Sequence, residues 1–130
     1  MNLNELLVVD DNELALNQVR RIAEANGYRA VTASTVQAFK EAYLNSRPTV
    51  IVLDAVIGGE DCTVLLDFLA RSRCQVPVVL LTGFNGKFLD VLETAARSAG
   101  LRLAAKVEKR KSLFLLEDVL RELRIPEMTA

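Results

Sequence analysis

Leu6-Leu7-Val8-Val9-Asp10-Asp11 and Val50-Ile51-Val52-Leu53-Asp54 indicate the fold class, because each is a short apolar run that ends in one or two carboxylates. Both runs are continuous and rich in β-branched residues, which is typical of strands buried on both faces of a parallel sheet. A third run of this kind covers residues 76–81 and ends in Thr82-Gly83. The sequence therefore predicts three central strands of one sheet.

The segments around these runs complete an alternation of strands and helices. Two further strands are predicted at residues 29–33 and 101–107, where the apolar residues alternate more, as they do at or near a sheet edge. Apolar residues at helical spacing mark five helices, at residues 13–26, 35–45, 63–71, 87–99 and 112–123. Asn12 and Ser112 are the predicted N-caps of the first and last helices, and Gly27 ends the first.

This order predicts an α/β fold, a doubly wound parallel sheet of five strands with helices on both faces and right-handed crossovers. We expect one domain over residues 1–124, with residues 125–130 as a tail or the start of a linker. The chain has 130 residues, of which 51% are hydrophobic and 25% charged, a balance that suits a globular core.

Composition excludes several classes of function. The net charge is −1 with both signs interspersed, which argues against direct binding of nucleic acid. The apolar runs are too short to span a bilayer, and no signal peptide precedes them, so we expect a cytoplasmic protein that does not bind a membrane. The two cysteines have no metal-type spacing and are expected to be reduced thiols.

The chain contains no histidine, which excludes a Ser-His-Asp triad, a Cys-His pair and a histidine metal site. Any acid–base or metal chemistry must therefore use carboxylates, lysines and hydroxyls.

The carboxyl ends of the predicted strands bring such groups together. Ligands of doubly wound sheets bind at this edge. The residues predicted there are Asp10, Asp11, Asp54, Thr82 and Lys109. Clustered carboxylates repel one another unless a cation such as Mg²⁺ neutralises them, and a carboxylate can also form an aspartyl phosphate. Each residue alone has a structural alternative as a helix cap, turn residue or surface charge, but their joint position favours a functional site.

The strings Leu7-Val8-Val9-Asp10-Asp11-Asn12, Ile51-Val52-Leu53-Asp54 and Leu80-Leu81-Thr82-Gly83, with the late Lys109, resemble the receiver domain of two-component response regulators. The resemblance covers about residues 5–123. It implies a flavodoxin-like, CheY-like sheet with strand order 2-1-3-4-5.

The resemblance also implies roles for the site residues. Asp54 would be the phosphoacceptor and, with Asp10, Asp11 and the main-chain carbonyl of Val56, would hold Mg²⁺. Asp11 would bind the ion directly and Asp10 mainly through water.

Thr82 would hydrogen-bond the phosphoryl group, and Lys109 would pair with it. The implied partners are a histidine kinase or phosphotransfer protein, an attached output domain, and a second copy bound through the face of the fourth helix, fifth strand and fifth helix.

Four positions depart from the family pattern. Ile57-Gly58 stands where a Met-Pro pair is usual, and Asp61-Cys62 stands where Asp-Gly is usual. Arg110 replaces the proline that usually follows the active-site lysine, and Lys106 replaces the aromatic switch residue. These changes put the usual threonine–aromatic switching in doubt.

Two lysines compete for the active-site position. The commonest receiver spacing favours Lys106, whereas the longer form of receivers attached to EAL-type cyclic-di-GMP phosphodiesterases favours Lys109. Strand parity also favours Lys109, because Leu101, Leu103, Ala105, Val107 and Lys109 should share one face of the strand.

The leading hypothesis is therefore a phosphoacceptor module and not an enzyme. The alternatives are a receiver-like interaction module that works without phosphate and an aspartate-nucleophile phosphatase of the haloacid-dehalogenase type. That phosphatase family requires a second aspartate two residues after the nucleophile, where this chain has Val56. Because neither Val56 nor Phe84 can orient a water molecule, we expect slow self-dephosphorylation.

Overall fold

Strands and helices alternate along the whole chain in the computed structural model, which describes residues 2–83, 86–109 and 113–126. The elements are β1 (Glu5–Val9), α1 (Glu13–Ala25), β2 (Arg29–Ala33), α2 (Val36–Asn45), β3 (Val50–Asp54), β4 (Val56–Ile57), β5 (Glu60–Asp61), α3 (Thr63–Arg71), β6 (Val78–Thr82), α4 (Gly86–Ser98), β7 (Leu103–Glu108) and α5 (Leu113–Leu123). Three residues used in the sequence analysis, Phe84, Arg110 and Ser112, lie outside the described ranges.

Five of these strands form one parallel sheet in the order β2-β1-β3-β6-β7. This arrangement confirms the predicted strand order, since β6 and β7 are the fourth and fifth strands of the prediction. The short strands β4 and β5 pair antiparallel as a hairpin directly after β3, an element that the sequence analysis did not predict.

The core lies on both sides of the sheet, because the central strands are buried throughout. Leu7 and Val9 of β1 pack with buried residues of α2, α3 and α4 on one side. Leu6 and Val8 pack with α1 and α5 on the other. Each buried aliphatic side chain of this kind stabilises the fold by about 1.5–3 kcal/mol, which explains why these runs contain no polar residue.

Strand β7 does not follow the simple alternation that the sequence predicted. Val78 pairs with Leu103 and Val79 pairs with Ala105, so Ala104 is passed over in an irregularity of the β-bulge type. Leu103 therefore packs on the α2–α4 side, whereas Ala105 and Val107 pack on the α1–α5 side. The prediction that all four alternate residues from Leu101 to Val107 share one face was wrong, because one extra residue reverses the parity of a strand.

Local signals set the ends of the first helix as predicted. The Asn12 side chain accepts a hydrogen bond from the Ala15 amide at 3.0 Å, which caps α1. The chain then turns at Gly27, whose φ of +85° lies in the left-handed region that glycine adopts without strain.

The C-terminal part of α5 and the residues after it are hydrogen-bonded to the edge of the sheet where the strands begin. The buried Asn4 side chain donates to the carbonyl of Ile125 and accepts from its amide, both at 2.7 Å. The Tyr28 hydroxyl donates to the Leu120 carbonyl at 2.6 Å. Residue 125, placed by the sequence analysis in a tail or linker, is thus hydrogen-bonded to the start of the chain. Among the described residues, no helix is long and apolar enough to cross a membrane.

Candidate functional site

Four strand ends bring the predicted site residues to one edge of the sheet. Asp10 follows β1, Asp54 ends β3, Thr82 ends β6 and Lys109 follows β7. The register of neighbouring strands fixes this convergence, since Asp54 pairs with Leu81 and the Lys109 amide donates to the Thr82 carbonyl at 2.7 Å. Asp10, Asp54 and Thr82 are buried, so three polar groups lie where the apolar core ends.

Three carboxylates form the centre of this edge. Asp10, Asp11 and Asp54 each offer an oxygen, and these oxygens all lie within 4.8 Å of one another. Burial raises the pKa of Asp54 to about 7, and the hydrogen bond and repulsion from Asp10 act in the same direction. The Lys109 ammonium and the Val56 amide oppose this rise in pKa but do not cancel it. The site is therefore short of positive charge.

Lys109 supplies the one ammonium group that the described residues place among these carboxylates. Its Nζ lies 2.6 Å from Asp10 Oδ2 and 3.4 Å from Asp54 Oδ2. Burial lowers the pKa of Lys109, but the attraction of the two carboxylates outweighs burial and leaves the pKa above its usual value. Lys109 is thus held protonated beside Asp54.

Lys106 lies on the other side of the strand and contacts α4. Its Nζ is 3.1 Å from an Asp90 oxygen and 2.8 Å from a Glu93 oxygen. Of the two lysines weighed from the sequence, the structure brings Lys109 and not Lys106 to Asp54.

The β4–β5 hairpin closes one flank of the site. The Gly58 amide donates to Asp11 Oδ2 at 2.9 Å, which ties the loop after β1 to the tip of the hairpin. Gly58 and Gly59 have φ values of +61° and +81°, so the tight turn between the two short strands uses glycine twice. From the sequence alone, Gly58 was noted only as a departure from the family pattern. The Gly-Gly pair between a short apolar segment and a short acidic segment was the signal that could have predicted this hairpin.

Backbone amides orient the carboxylates from the other side. The Asn12 amide donates to Asp10 Oδ1 at 2.9 Å, and the Val56 amide donates to Asp54 Oδ1 at 3.3 Å. Val56 contacts Asp54 through its amide, whereas the predicted metal ligand is the Val56 carbonyl. Asp61, on the far strand of the hairpin, bonds instead to the amide of Thr63 at the start of α3.

The donor set fits a hard divalent cation. Three carboxylates and one ammonium carry a formal charge of −2, and oxygen ligands from carboxylates are those that Mg²⁺ prefers. Asp54 is also the carboxylate at the end of the central strand, next to a cationic partner that could balance a transferred phosphoryl group. The arrangement can therefore bind a cation and present a carboxylate oxygen as a nucleophile.

The profile of the response regulator receiver domain family matches residues 6–113. The chain belongs to this family. Among curated proteins, this receiver domain is 31% identical over 123 residues to Protein PetR of Rhodobacter capsulatus and 28% identical over 124 residues to the nitrogen assimilation regulatory protein NtrX of Azorhizobium caulinodans. Each match covers 94% of this chain, but only 50% of PetR and 27% of NtrX. The receiver thus spans half or less of the length of these relatives.

Solved structures show the same fold. A response regulator receiver domain protein from Clostridium thermocellum superposes with a TM-score of 0.77 at 19% identity, covering 93% of this chain and 94% of that one. The receiver fold of the chain is thereby shown both by family membership and by structural similarity.

Proposed function

We propose that this receiver accepts a phosphoryl group on Asp54 from the phosphohistidine of a partner histidine kinase or phosphotransfer protein. One observation carries the proposal: the carboxylate that ends the central strand lies within 4.8 Å of two further carboxylates and 3.4 Å from a lysine ammonium. An aspartate with a purely structural role would not need both a carboxylate cluster and a lysine ammonium beside it. Since residues 1–130 contain no histidine, the phosphohistidine must lie outside this receiver domain.

The transfer balances as a simple displacement at phosphorus. An Asp54 carboxylate oxygen forms a bond to phosphorus while the phosphorus–nitrogen bond of the donor breaks, and the imidazole leaves with the electron pair. The product is an acyl phosphate, which makes the chain a phosphoacceptor and not an enzyme that turns over a substrate.

Asp10, Asp11, Asp54 and the carbonyl of Val56 are the residues proposed to hold Mg²⁺. When bound, the ion supplies the positive charge that the phosphoryl oxygens require. The Gly58 amide already holds one oxygen of Asp11, and the Asn12 amide holds one of Asp10, so both side chains are oriented before a cation arrives.

Lys109 and Thr82 are proposed to bind the phosphoryl oxygens. Lys109 is shared between Asp10 and Asp54, with the shorter distance to Asp10. A phosphoryl group on Asp54 would add negative charge on that side and draw the ammonium toward it. This movement would link the site to β7 and its neighbours.

Partners beyond the donor are also proposals. An output domain attached to the receiver is consistent with the greater length of its curated relatives. Pairing of two copies through α4, β7 and α5 is consistent with the exposed side chains of Val91 and Phe114 on those helices, which are 66% and 78% exposed. A receiver that works without phosphate is the second candidate, because Lys106 bonds to α4 where the family usually places its switch aromatic.

Treatment with acetyl phosphate and Mg²⁺ separates these two candidates. Intact-mass spectrometry should show a gain of about 80 Da, the mass of one phosphoryl group, in the wild type and in the control Asp61→Asn. The gain should be absent in Asp54→Asn and reduced when EDTA replaces Mg²⁺. An unmodified wild type, or an adduct retained by Asp54→Asn, would contradict the proposal.

A further inference from the structure

Three loops at the edge of the sheet opposite Asp54 carry arginine and no carboxylate. They are residues 45–49, 71–77 and 97–102, and each consists of the end of a helix and the connection that follows it to β3, β6 or β7. Their five arginines, which we call the arginine face, are Arg47, Arg71, Arg73, Arg97 and Arg102. Since β3, β6 and β7 are neighbours in the sheet, the three loops lie side by side.

The arginine face is open and mostly unpaired. All five residues are exposed. Arg97 pairs with Glu93 within α4, whereas no salt bridge within 4.0 Å joins the other four to any residue in the described ranges. These four charges therefore lack the neutralising partner that Lys106 and Lys109 have elsewhere in the molecule.

Two clefts lie between the loops of this face. The larger, of about 690 Å³, is an open groove with a mixed lining: Tyr43, Leu44, Pro48 and Val76 together with the polar Asn45, Ser46 and Arg47. Leu44 is 71% exposed at its rim. The smaller cleft, of about 310 Å³, is lined by Arg73 together with Cys74, Gly100 and Leu101. Residues 73–76 separate the two clefts, because Arg73, Cys74 and Gln75 line the smaller cleft and Val76 lines the larger.

Arg73 has a left-handed backbone conformation, which an arginine adopts at a cost in free energy. Arg73 follows α3 with a φ of +54°, and its amide and that of Cys74 bond back to the Ala70 and Leu69 carbonyls. Glycine is the residue that most easily adopts this left-handed position at a helix end. The chain instead places an exposed arginine there, at a conformational cost.

Helix polarity explains only part of this pattern. The negative carbonyl end of a helix favours cations in its last turn, which accounts for Arg71 and Arg97. Arg47 and Arg102 lie beyond the ends of α2 and α4, outside the last helical turn in which this attraction acts.

We propose that the arginine face docks an acidic segment of a partner protein, with guanidinium groups pairing its carboxylates and the Leu44 groove receiving an apolar side chain. Guanidinium pairs carboxylates through two parallel hydrogen bonds, so four arginines without a salt bridge, on three segments that contain no carboxylate, match such a segment in charge. The exposed Leu44 side chain in the groove offers an apolar contact that a peptide side chain can fill and a nucleic-acid backbone cannot. The docking does not depend on phosphorylation, since it lies at the opposite edge of the sheet.

Fluorescence anisotropy with a labelled peptide of alternating glutamate and leucine tests the proposal on the 130-residue chain without phosphoryl donor. The double variant Arg47→Glu/Arg73→Glu should bind at least about tenfold more weakly than the wild type. The control Arg20→Glu/Arg21→Glu changes two exposed arginines of α1 by the same charge and should bind within about twofold of the wild type.

The variant Arg73→Gly tests whether weaker peptide binding results from the missing side chain or from loss of the folded structure. It should weaken peptide binding while leaving the melting temperature unchanged or higher, a result that a purely structural arginine would not give. The proposal is overturned if the wild type does not bind the peptide, if both double variants lose binding equally, or if Arg73→Gly and Arg47→Glu/Arg73→Glu bind as the wild type does. Tighter binding of a single-stranded oligonucleotide of equal charge would also overturn it.

Discussion

At the scale of single residues, the three carboxylates of the site repel one another. Asp10, Asp11 and Asp54 lie close together with one ammonium between them, and the two buried members cannot be solvated freely. Like charges held together in a partly buried site destabilise the folded chain until a cation binds. Asp54 is the member whose pKa is raised, by burial first and by the neighbouring Asp10 second.

Asp54→Asn should therefore stabilise the chain in the absence of divalent cations. We expect the free energy of unfolding in EDTA to rise by about 1–2 kcal/mol, since amide and carboxylate have the same size. Urea denaturation of both proteins measures it, with Asp67→Asn as the control at an exposed carboxylate of α3. A variant less stable than the wild type in EDTA would show that repulsion among the carboxylates does not destabilise the folded chain.

Tyr28 provides a prediction at alkaline pH. Burial raises the pKa of Tyr28 to about 12, although Arg124 opposes this, and its hydroxyl donates to the Leu120 carbonyl. The unfolded chain loses the same proton at a pKa near 10, so the contribution of Tyr28 to folding stability should be constant below about pH 10 and decline as the pH rises to about 12.

Tyr28→Phe should cost about 1 kcal/mol at neutral pH, the value of one hydrogen bond. It should also remove this part of the alkaline decline. Denaturation at neutral pH and above pH 10 gives both quantities. An equal alkaline decline in the variant would assign the effect to other groups.

At the scale of elements, the β4–β5 hairpin positions Asp11. Its turn places Gly58 at a φ of +61° with open space around the missing side chain, so conformation and not crowding sets the cost of substitution. The amide of this residue bonds Asp11. A change at the turn should therefore act on the stability of the hairpin and on the cation site together.

Gly58→Ala should destabilise the chain by about 1 kcal/mol, the usual cost of a left-handed alanine, and should weaken Mg²⁺ binding. Gly83→Ala is the matched control, because Gly83 also has open space but no positive φ. Calorimetric titration with Mg²⁺ and urea denaturation report the two effects. Equal stability of both variants would mean that the turn is not strained by a side chain.

The end of α3 gives a prediction of opposite sign. Arg73→Gly relieves the left-handed backbone and should raise the free energy of unfolding by about 0.5 kcal/mol, after the greater flexibility of unfolded glycine is subtracted. Arg73→Ala keeps the backbone cost and should leave stability unchanged. Stabilisation by alanine as well as glycine would trace the effect to the arginine side chain and not to its φ.

At the scale of the whole molecule, the apolar pattern was enough to predict the central strands and the groups at the carboxyl edge of the sheet, whereas the order of the strands followed from the resemblance to receiver domains. Continuous apolar runs locate the central strands, and residues that follow such runs must meet at one edge. Features that depend on pairing between distant residues were not predictable. The bulge at Ala104 arises from its register with β6, the Asp11–Gly58 bond joins residues 47 apart, and the Asn4–Ile125 bonds join residues 121 apart. No periodicity in one segment reports such contacts.

The central claim is that Asp54 alone carries the phosphoryl group, and reductive mapping tests it most directly. Labelled borohydride reduces an acyl phosphate to an alcohol and would convert a phosphorylated Asp54 to labelled homoserine. After treatment with a phosphohistidine donor and Mg²⁺, peptide sequencing by mass spectrometry should find the label at residue 54 and nowhere else. Label at Asp10, Asp11 or Asp61, or no label after exposure to several donors and to acetyl phosphate, would contradict the account.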